Sequence, residues 1–359
     1  ALLDTALMLM RETASELTIS EAAVARERGV ILSEKRDRNT FALRNFEDQM
    51  QFLHPQARYA NRLPIGTEET LNGATAERLR AFWRREYVPA QTTLLVVGDF
   101  PVEAVEAAIK ARFADWRPAP AEPQPLAGPF DPKAKPREDI FIDQALSERV
   151  TVSRDSTWLE KSDSLAQRRE NLLRQIGYGI VNRRLLSRTR EANAPFRGAG
   201  LGTSDSFREA RTTNLVVETV DGGWRRGLLA ATEEYRRALE FGFTQAEVAE
   251  QIANSRSAAR NAAASESTRS HGTLLGAVIA LVTNEIVPDK PSRSLERLEA
   301  FIPEITPETV LAALQRELVP LDQPLIRFQG RREPSGGTKA LREAWDAAVQ
   351  AKVGKPEVK

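Results

Sequence analysis

Cysteine is absent from the sequence, which excludes disulfide scaffolds, thiolate metal sites and cysteine nucleophiles. Histidine is nearly absent: His54 and His271 are the only two. Lone histidines are weak metal signals, so both read as structural or surface residues. An excess of one charge is missing as well. Fifty-one Lys+Arg stand against 50 Asp+Glu, for a net charge of +1, and no strong field draws nucleic acid or anionic membrane. Long apolar runs are lacking. The most apolar one, 273–283, falls short of the ~20 residues that cross a bilayer, so no membrane insertion is expected. The opening ALLDTALMLMRE has no basic start and no cleavage site, and does not read as a signal peptide. No G-x-S-x-G occurs, which leaves serine hydrolase chemistry without support. Gly198, Gly200 and Gly202 lack the lysine of a phosphate loop and the strand–turn–helix setting of a dinucleotide site, and read as a loop or bend.

What is present is a duplicated pattern in 359 residues, 41% of them hydrophobic, long enough for about two domains. Pro118, Pro120, Pro123, Pro125, Pro129, Pro132 and Pro136 crowd one stretch, which forbids helix and favours an extended connector. The expected organisation is therefore a first unit over 1–120, a linker over 121–137 and a second unit over 138–359. The segment 74–100 resembles 305–331: Thr75 matches Thr306, Arg85 and Glu86 match Arg316 and Glu317, and Val88-Pro89 matches Val319-Pro320. Each copy reads as a threonine cap, a helix, a proline stop and an apolar strand, at 94–97 and 325–328. Helices at 101–116 and 338–353 follow. Upstream, 17–34 resembles 243–260, each opening on a capping-box pattern, Thr18/Glu21 and Thr244/Glu247.

Ahead of its repeated part the second unit reads as strand (140–152), helix (163–189), irregular loop (191–206), strand (213–220) and helix (224–239). Phe141, Phe196, Phe207 and Trp224 read as core or interface residues, and 265–270 as a solvated helix face, loop or polar linker. The fold class is α+β: two homologous units, each a mainly antiparallel sheet with helices packed on one face. By the repeat offset the first unit is incomplete and lacks roughly a hundred residues.

The first unit also carries a helix of unusual pattern, expected over 21–38. At 100° per residue Arg26, Arg28, Gly29, Ser33, Lys35 and Arg36 gather on one side, and Ala23, Val24, Val30 and Ile31 on the other. Glu27 and Glu34 fall amid the apolar side, two turns and about 10.5 Å apart along the axis. A carboxylate on a core-facing stripe needs a positive partner. Either arginines of the same domain pair with the two, or a metal meets one of them while the other stands behind it, since bonds of about 2 Å prevent one zinc from binding both. In the second copy the matching positions are Ala253 and Arg260, which favours a role confined to the first unit.

Three segments in this order resemble the insulinase/pitrilysin family of zinc metallopeptidases. Glu27-Arg28-Gly29-Val30-Ile31-Leu32-Ser33-Glu34 is similar to its E-R-x-V-x-x-x-E stretch. His54-Pro55 with Leu63-Pro64-Ile65-Gly66-Thr67 and Leu71 is similar to its H-P…P-x-G segment. Phe82, Tyr87-Val88-Pro89, the apolar 94–97 and Gly98-Asp99 are similar to its F-x-x-x-Y-x-P…G-D segment. The resemblance covers most of 17–120, and the second unit resembles the family's second, degenerate domain.

The resemblance implies zinc as cofactor, Glu34 as a metal ligand and Glu27 as its supporting acid. It implies a peptide or unfolded-protein substrate. It also implies an inverted H-x-x-E-H helix about 75 residues before Glu34, a motif this sequence does not contain. The expected function is thus a piece of a zinc-dependent metalloendopeptidase, inactive by itself, completed by the other half of a longer chain or by a homologous subunit. The alternative is a non-catalytic insulinase-like subunit that pairs with an active partner and helps enclose or present substrate. By family analogy alone, the location is periplasmic or exported in a bacterium.

Overall fold

The computed structural model describes residues 2–117 and 119–356, so that Pro118 lies outside the described residues. In chain order the helices are α1 (Leu2–Ser15), α2 (Glu21–Asp37), α3 (Phe41–Leu53), α4 (Glu68–Asn72), α5 (Ala76–Glu86), α6 (Val102–Phe113), α7 (Leu165–Arg188), α8 (Trp224–Phe241), α9 (Gln245–Ala264), α10 (His271–Asn284), α11 (Pro291–Phe301), α12 (Pro307–Glu317) and α13 (Gly337–Gln350). The strands are β1 (Arg137–Ile142), β2 (Arg149–Thr157), β3 (Gly198–Ser206), β4 (Ala210–Glu218) and β5 (Leu325–Gly330). The proline-dense 119–136 enters neither kind of element. No helix of the described residues is long and apolar enough to cross a membrane.

Contacts gather the chain into two compact units that are not simply consecutive. One comprises Ala1–Thr40, Arg62–Leu126 and Arg269–Ile286; the other comprises Phe41–Asn61, Ala127–Thr268 and Val287–Lys359. Among its described residues the first unit holds α1, α2, α4, α5, α6 and α10 and no strand. Its apolar interior is small, with Leu7, Val24, Ala76, Val88 and Val105 fully enclosed. Much of the packing is done by long cationic side chains instead. Arg11 donates to the Arg112 carbonyl, and Arg112 pairs with Asp4 at 2.7 Å.

The strand expected at 94–97 is not formed. Its four apolar residues are half-buried, but their backbone joins no ladder. A strand exists only with a neighbour to bond, and none stands among the described residues of this unit.

The second unit is a mixed α/β layer built on one sheet, ordered β1-β5-β2-β4-β3, in which only β1 and β5 run parallel. Period-two alternation separates its faces. Val150, Val152, Leu201, Leu215, Val217, Ile326 and Phe328 join the core with Ile176, Ile180 and Leu185 of α7, Leu228 of α8, Leu314 of α12 and Leu341 of α13. The opposite phase carries Ser153, Asp155, Thr212, Asn214, Arg327 and Gln329. On that polar face Asn45 and Asp48 of α3 bond Gln329 and Arg327. Both faces of β5 are therefore covered, and all six of its residues are buried.

Several sequence expectations are corrected here. The expected strand 140–152 is two strands, β1 and β2, separated by the turn at 143–148. The glycines at 198, 200 and 202 lie in β3, not in a loop. Residues 199, 201 and 203 alternate with them in the inward phase, and a turn with Phe207 and Arg208 at φ 54° and 58° returns the chain into β4. Asn182 of α7 bonds both the N–H and the C=O of Leu201, which occupies part of the outer backbone row of this edge strand. Phe207 is exposed at that turn, whereas Phe196 and Trp224 are buried as expected. The caps at Thr75, Thr244 and Thr306 are present. The cap of α2 is Ser20 rather than Thr18, and Glu21 turns away to accept from the Ala76 N–H at 3.0 Å.

Candidate functional site

Helix α2 is pinned along one side by three polar anchors. Glu21 takes the first N–H of α5. Arg28 donates to the carbonyls of Leu71 (3.0 Å) and Ala74 (2.6 Å), and Lys35 donates to the carbonyl of Gly66 at 2.8 Å. The Leu63-Pro64-Ile65-Gly66-Thr67 segment gains a physical role from this. Gly66 sits at φ 74° in a turn closed by its own N–H on Leu63, and Thr67 caps α4. Positive φ is a position glycine takes without steric cost. The turn leaves the Gly66 carbonyl in reach of Lys35.

The packed side of α2 is therefore rotated from the one that hydrophobicity indicates: it keeps Val24 and Ile31, leaves Val30 out and takes in Arg28 and Lys35. Arg28 and Lys35 are half-buried because their alkyl stems cover apolar surface while their heads find carbonyls. Val24 is buried, but Val30 is 56% exposed. Glu27 and Glu34 share Val30's side. Glu27 is 61% exposed and stands 3.9 Å from Arg26; Glu34 is 42% exposed and pairs with Arg38 one turn on, at 2.5 Å. Exposed pairs of this kind contribute about 0–1 kcal/mol.

His54 lies in the second unit, buried, with Nδ1 3.5 Å from Asp155 Oδ2 and its ring edge-on to Phe130. Burial pushes its pKa down and that of Asp155 up, while each group's charge opposes the other's shift. Asp155 also accepts from Thr212 at 2.6 Å. Close by, Tyr59 donates to the Met50 sulfur, and burial drives its phenol up to about 12. Arg327, 4% exposed, bridges Asp48 and Asp139, and burial plus the Asp48 charge raise Asp139 to about 6. These groups secure residues 41–61 to the polar face of the sheet. His271 opens α10, in the first unit.

Among the described residues no three His, Cys, Asp or Glu side chains converge where a metal would fit. Glu34 has an arginine beside it where a catalytic zinc would need two histidines. The residues present therefore do not fit a complete zinc centre, and no hydrolytic step is assigned to them.

The family profile described as "Peptidase M16 inactive domain" matches residues 73–255. The chloroplastic stromal processing peptidase of Arabidopsis thaliana is 26% identical over 297 residues, 67% of this chain and 23% of that protein. The "Zinc protease PQQL-like" of the same plant is 25% identical over 196 residues, 54% of this chain and 20% of that protein. The chain thus spans less than a quarter of the length of these curated relatives. Among solved structures, the periplasmic protease PqqL from Escherichia coli superposes with a TM-score of 0.87 at 18% identity, over 99% of this chain and 40% of that one.

Proposed function

The chain belongs to the M16, insulinase-type, peptidase family, and from that premise we propose that it serves inside a zinc-dependent metalloendopeptidase without being able to cleave by itself. In this reading Glu34 is one zinc ligand and Glu27 supports it, while the two histidines come from outside these 359 residues. They come either from the other half of a longer chain or from a homologous subunit. The observation that carries the reading is the disposition of α2. Two carboxylates stand two turns apart on a solvent-facing stripe, and three anchors fix the helix from the adjoining stripe, about 100° round the axis. Their present partners are weakly held surface arginines, which a metal displaces at small cost.

The substrate class is a peptide or an unfolded protein segment, and the relatives that are named for plastid and periplasm support an exported location. A second reading is a non-catalytic subunit that pairs with an active partner and helps enclose or present substrate. It is favoured by the match to the inactive domain type.

Zinc calorimetry on the 359-residue chain, with cleavage of an unstructured peptide as the second readout, tests the proposal. The expected result is neither stoichiometric tight zinc nor chelator-sensitive cleavage; finding both would overturn it. An H-x-x-E-H motif about 75 residues ahead of Glu34 in the full-length protein selects the first reading, and its absence selects the second.

A further inference from the structure

The inward phase of β4 reads Arg211, Thr213, Leu215, Val217. A cation at the head of such a row is costly unless something negative meets it. Arg211 is 7% exposed, and its Nε and Nη1 are buried with no hydrogen-bond partner among the described residues. The neighbouring carboxylate belongs to Glu317, the last residue of α12, whose Oε2 stands 3.7 Å from Nη1, too far for a hydrogen bond. That same oxygen is already taken by Lys161 Nζ at 2.6 Å and by Arg174 of α7. Burial opposes ionisation of Glu317, but the Lys161 hydrogen bond and the Arg174 charge outweigh it and hold its carboxyl below the usual range.

Three cations thus converge from a loop, a helix and a strand on one carboxylate, a local excess of two positive charges (three minus one). The nearby Glu170 is engaged by Arg316 through two bonds of 2.8 Å, and Asp205, opposite Arg211 in the ladder, is exposed.

The hydroxyls beside the cluster form a hydrogen-bonded chain. Thr213 Oγ1 accepts from the buried Val319 N–H and shares a hydrogen with Thr203, and Thr203 in turn shares one with Tyr178. Each of the two hydroxyl pairs can run in either direction, and in the order that starts with Thr213 and passes through Thr203 the Tyr178 proton is free for an outside acceptor. Burial, helped by the Glu317 charge, pushes that phenol up to about 12 and keeps it protonated, against the opposing pull of Arg174 and Arg211.

From this arrangement we infer that Lys161, Arg174 and Arg211 form a binding site for a small oxyanion, a phosphate or carboxylate group, with Tyr178 as an additional donor. A guanidinium fork matches two oxygens of such a group, and its negative charge offsets the excess. Lys161, 23% exposed, and the half-buried Tyr178 mark the side open to solvent.

Inorganic phosphate titrated into the 359-residue chain, against chloride at matched ionic strength, tests the site by calorimetry and melting temperature. The expected result is a saturable phosphate-specific rise in melting temperature with one phosphate per chain. Arg211→Gln abolishes it. Lys161→Met, at the open side and less demanding of the fold, weakens it about tenfold or more, the loss of one charge-assisted hydrogen bond. A phosphate response no different from chloride, or one unchanged in Lys161→Met, overturns the inference. Short peptides ending in a free acid or an amide then separate the sources. Displacement of phosphate by the acid alone assigns a chain-terminal carboxylate, and no displacement by either assigns a free phosphate.

Discussion

Helices α2 and α9 hold equivalent places in the repeated pattern and are secured in opposite ways. Helix α9 buries Val248 and Ile252 in the main core. Its Glu247 is fully committed to structure, closing the capping box on Thr244 and accepting from Arg184 at 2.6 and 2.8 Å. Where α2 has Glu34, α9 has Arg260, which pairs with Glu299 of α11. Helix α2 has Val24 as its one buried residue and is fixed by polar anchors on one side, and the ion pairs of Glu27 and Glu34 are local, with Arg26 of α2 and with Arg38 at its C-terminal cap. The duplicated helix that carries the fold spends its carboxylate on the fold; the copy with little core keeps two at the surface.

The largest expected effect separates the two helices by function. In a full-length protein that supplies the histidines, Glu34→Gln lowers zinc affinity by more than about 100-fold, beyond the 10–100-fold expected for Glu27→Gln as a supporting acid. In the 359-residue chain both substitutions stay within about 0.5 kcal/mol of the parent in denaturant melts. Metal content after dialysis checks the first part, and full zinc occupancy in Glu34→Gln would remove the functional contrast between the helices.

The next effect lies in the core. Ile252→Ala on α9 destabilises by about 2–5 kcal/mol, whereas Val30→Ala on α2 changes stability by less than about 0.5 kcal/mol. Comparable losses from the two would mean that α2 is packed as α9 is.

The smallest effect is a pH dependence. In Glu247, burial opposes ionisation but is outweighed by the Arg184 and Thr244 hydrogen bonds, so its folded pKa lies below the ordinary value. Its stabilisation is present above the unfolded pKa of about 4.3 and is lost as pH falls through the folded value. Melting temperature should therefore drop less steeply on acidification in Glu247→Gln than in the parent. The Ser20 cap of α2 does not titrate, and Ser20→Ala should leave the slope unchanged.

Much of this architecture was legible because caps and periodicity are local. Thr75, Thr244 and Thr306 start their helices, the 3.6-residue period marks α7 and α8, and two-residue alternation marks β4. What failed depended on distant partners. Residues 94–97 have strand composition but no ladder neighbour, and β3 has loop composition but pairs along its whole length with β4. The side on which α2 packs was misread because Arg28 and Lys35 find carbonyls on 66, 71 and 74, which hydrophobicity does not register. The buried pair of His54 and Asp155 joins residues a hundred positions apart. Arg211 did leave a trace: a lone cation in the inward phase of an apolar strand. The family resemblance was carried by Glu27, Glu34, His54-Pro55, Gly66 and the 82–99 stretch, and the family match bears it out.

The place of β5 bears on the order in which this protein is made. The strand lies between β1 and β2, pairing Arg137 with Leu325 and Val150 with Phe328. As the chain leaves the ribosome, β1 therefore waits without a neighbour until residue 330 has emerged, and β2, β3 and β4 can form only a three-stranded antiparallel sheet, ordered β2-β4-β3, before then. Such long-range, partly parallel closure is slow because loop-closure entropy is met before its contacts form. The nascent chain thus presents two open strand edges at the middle of its future sheet, where chaperone capture or misassembly would act.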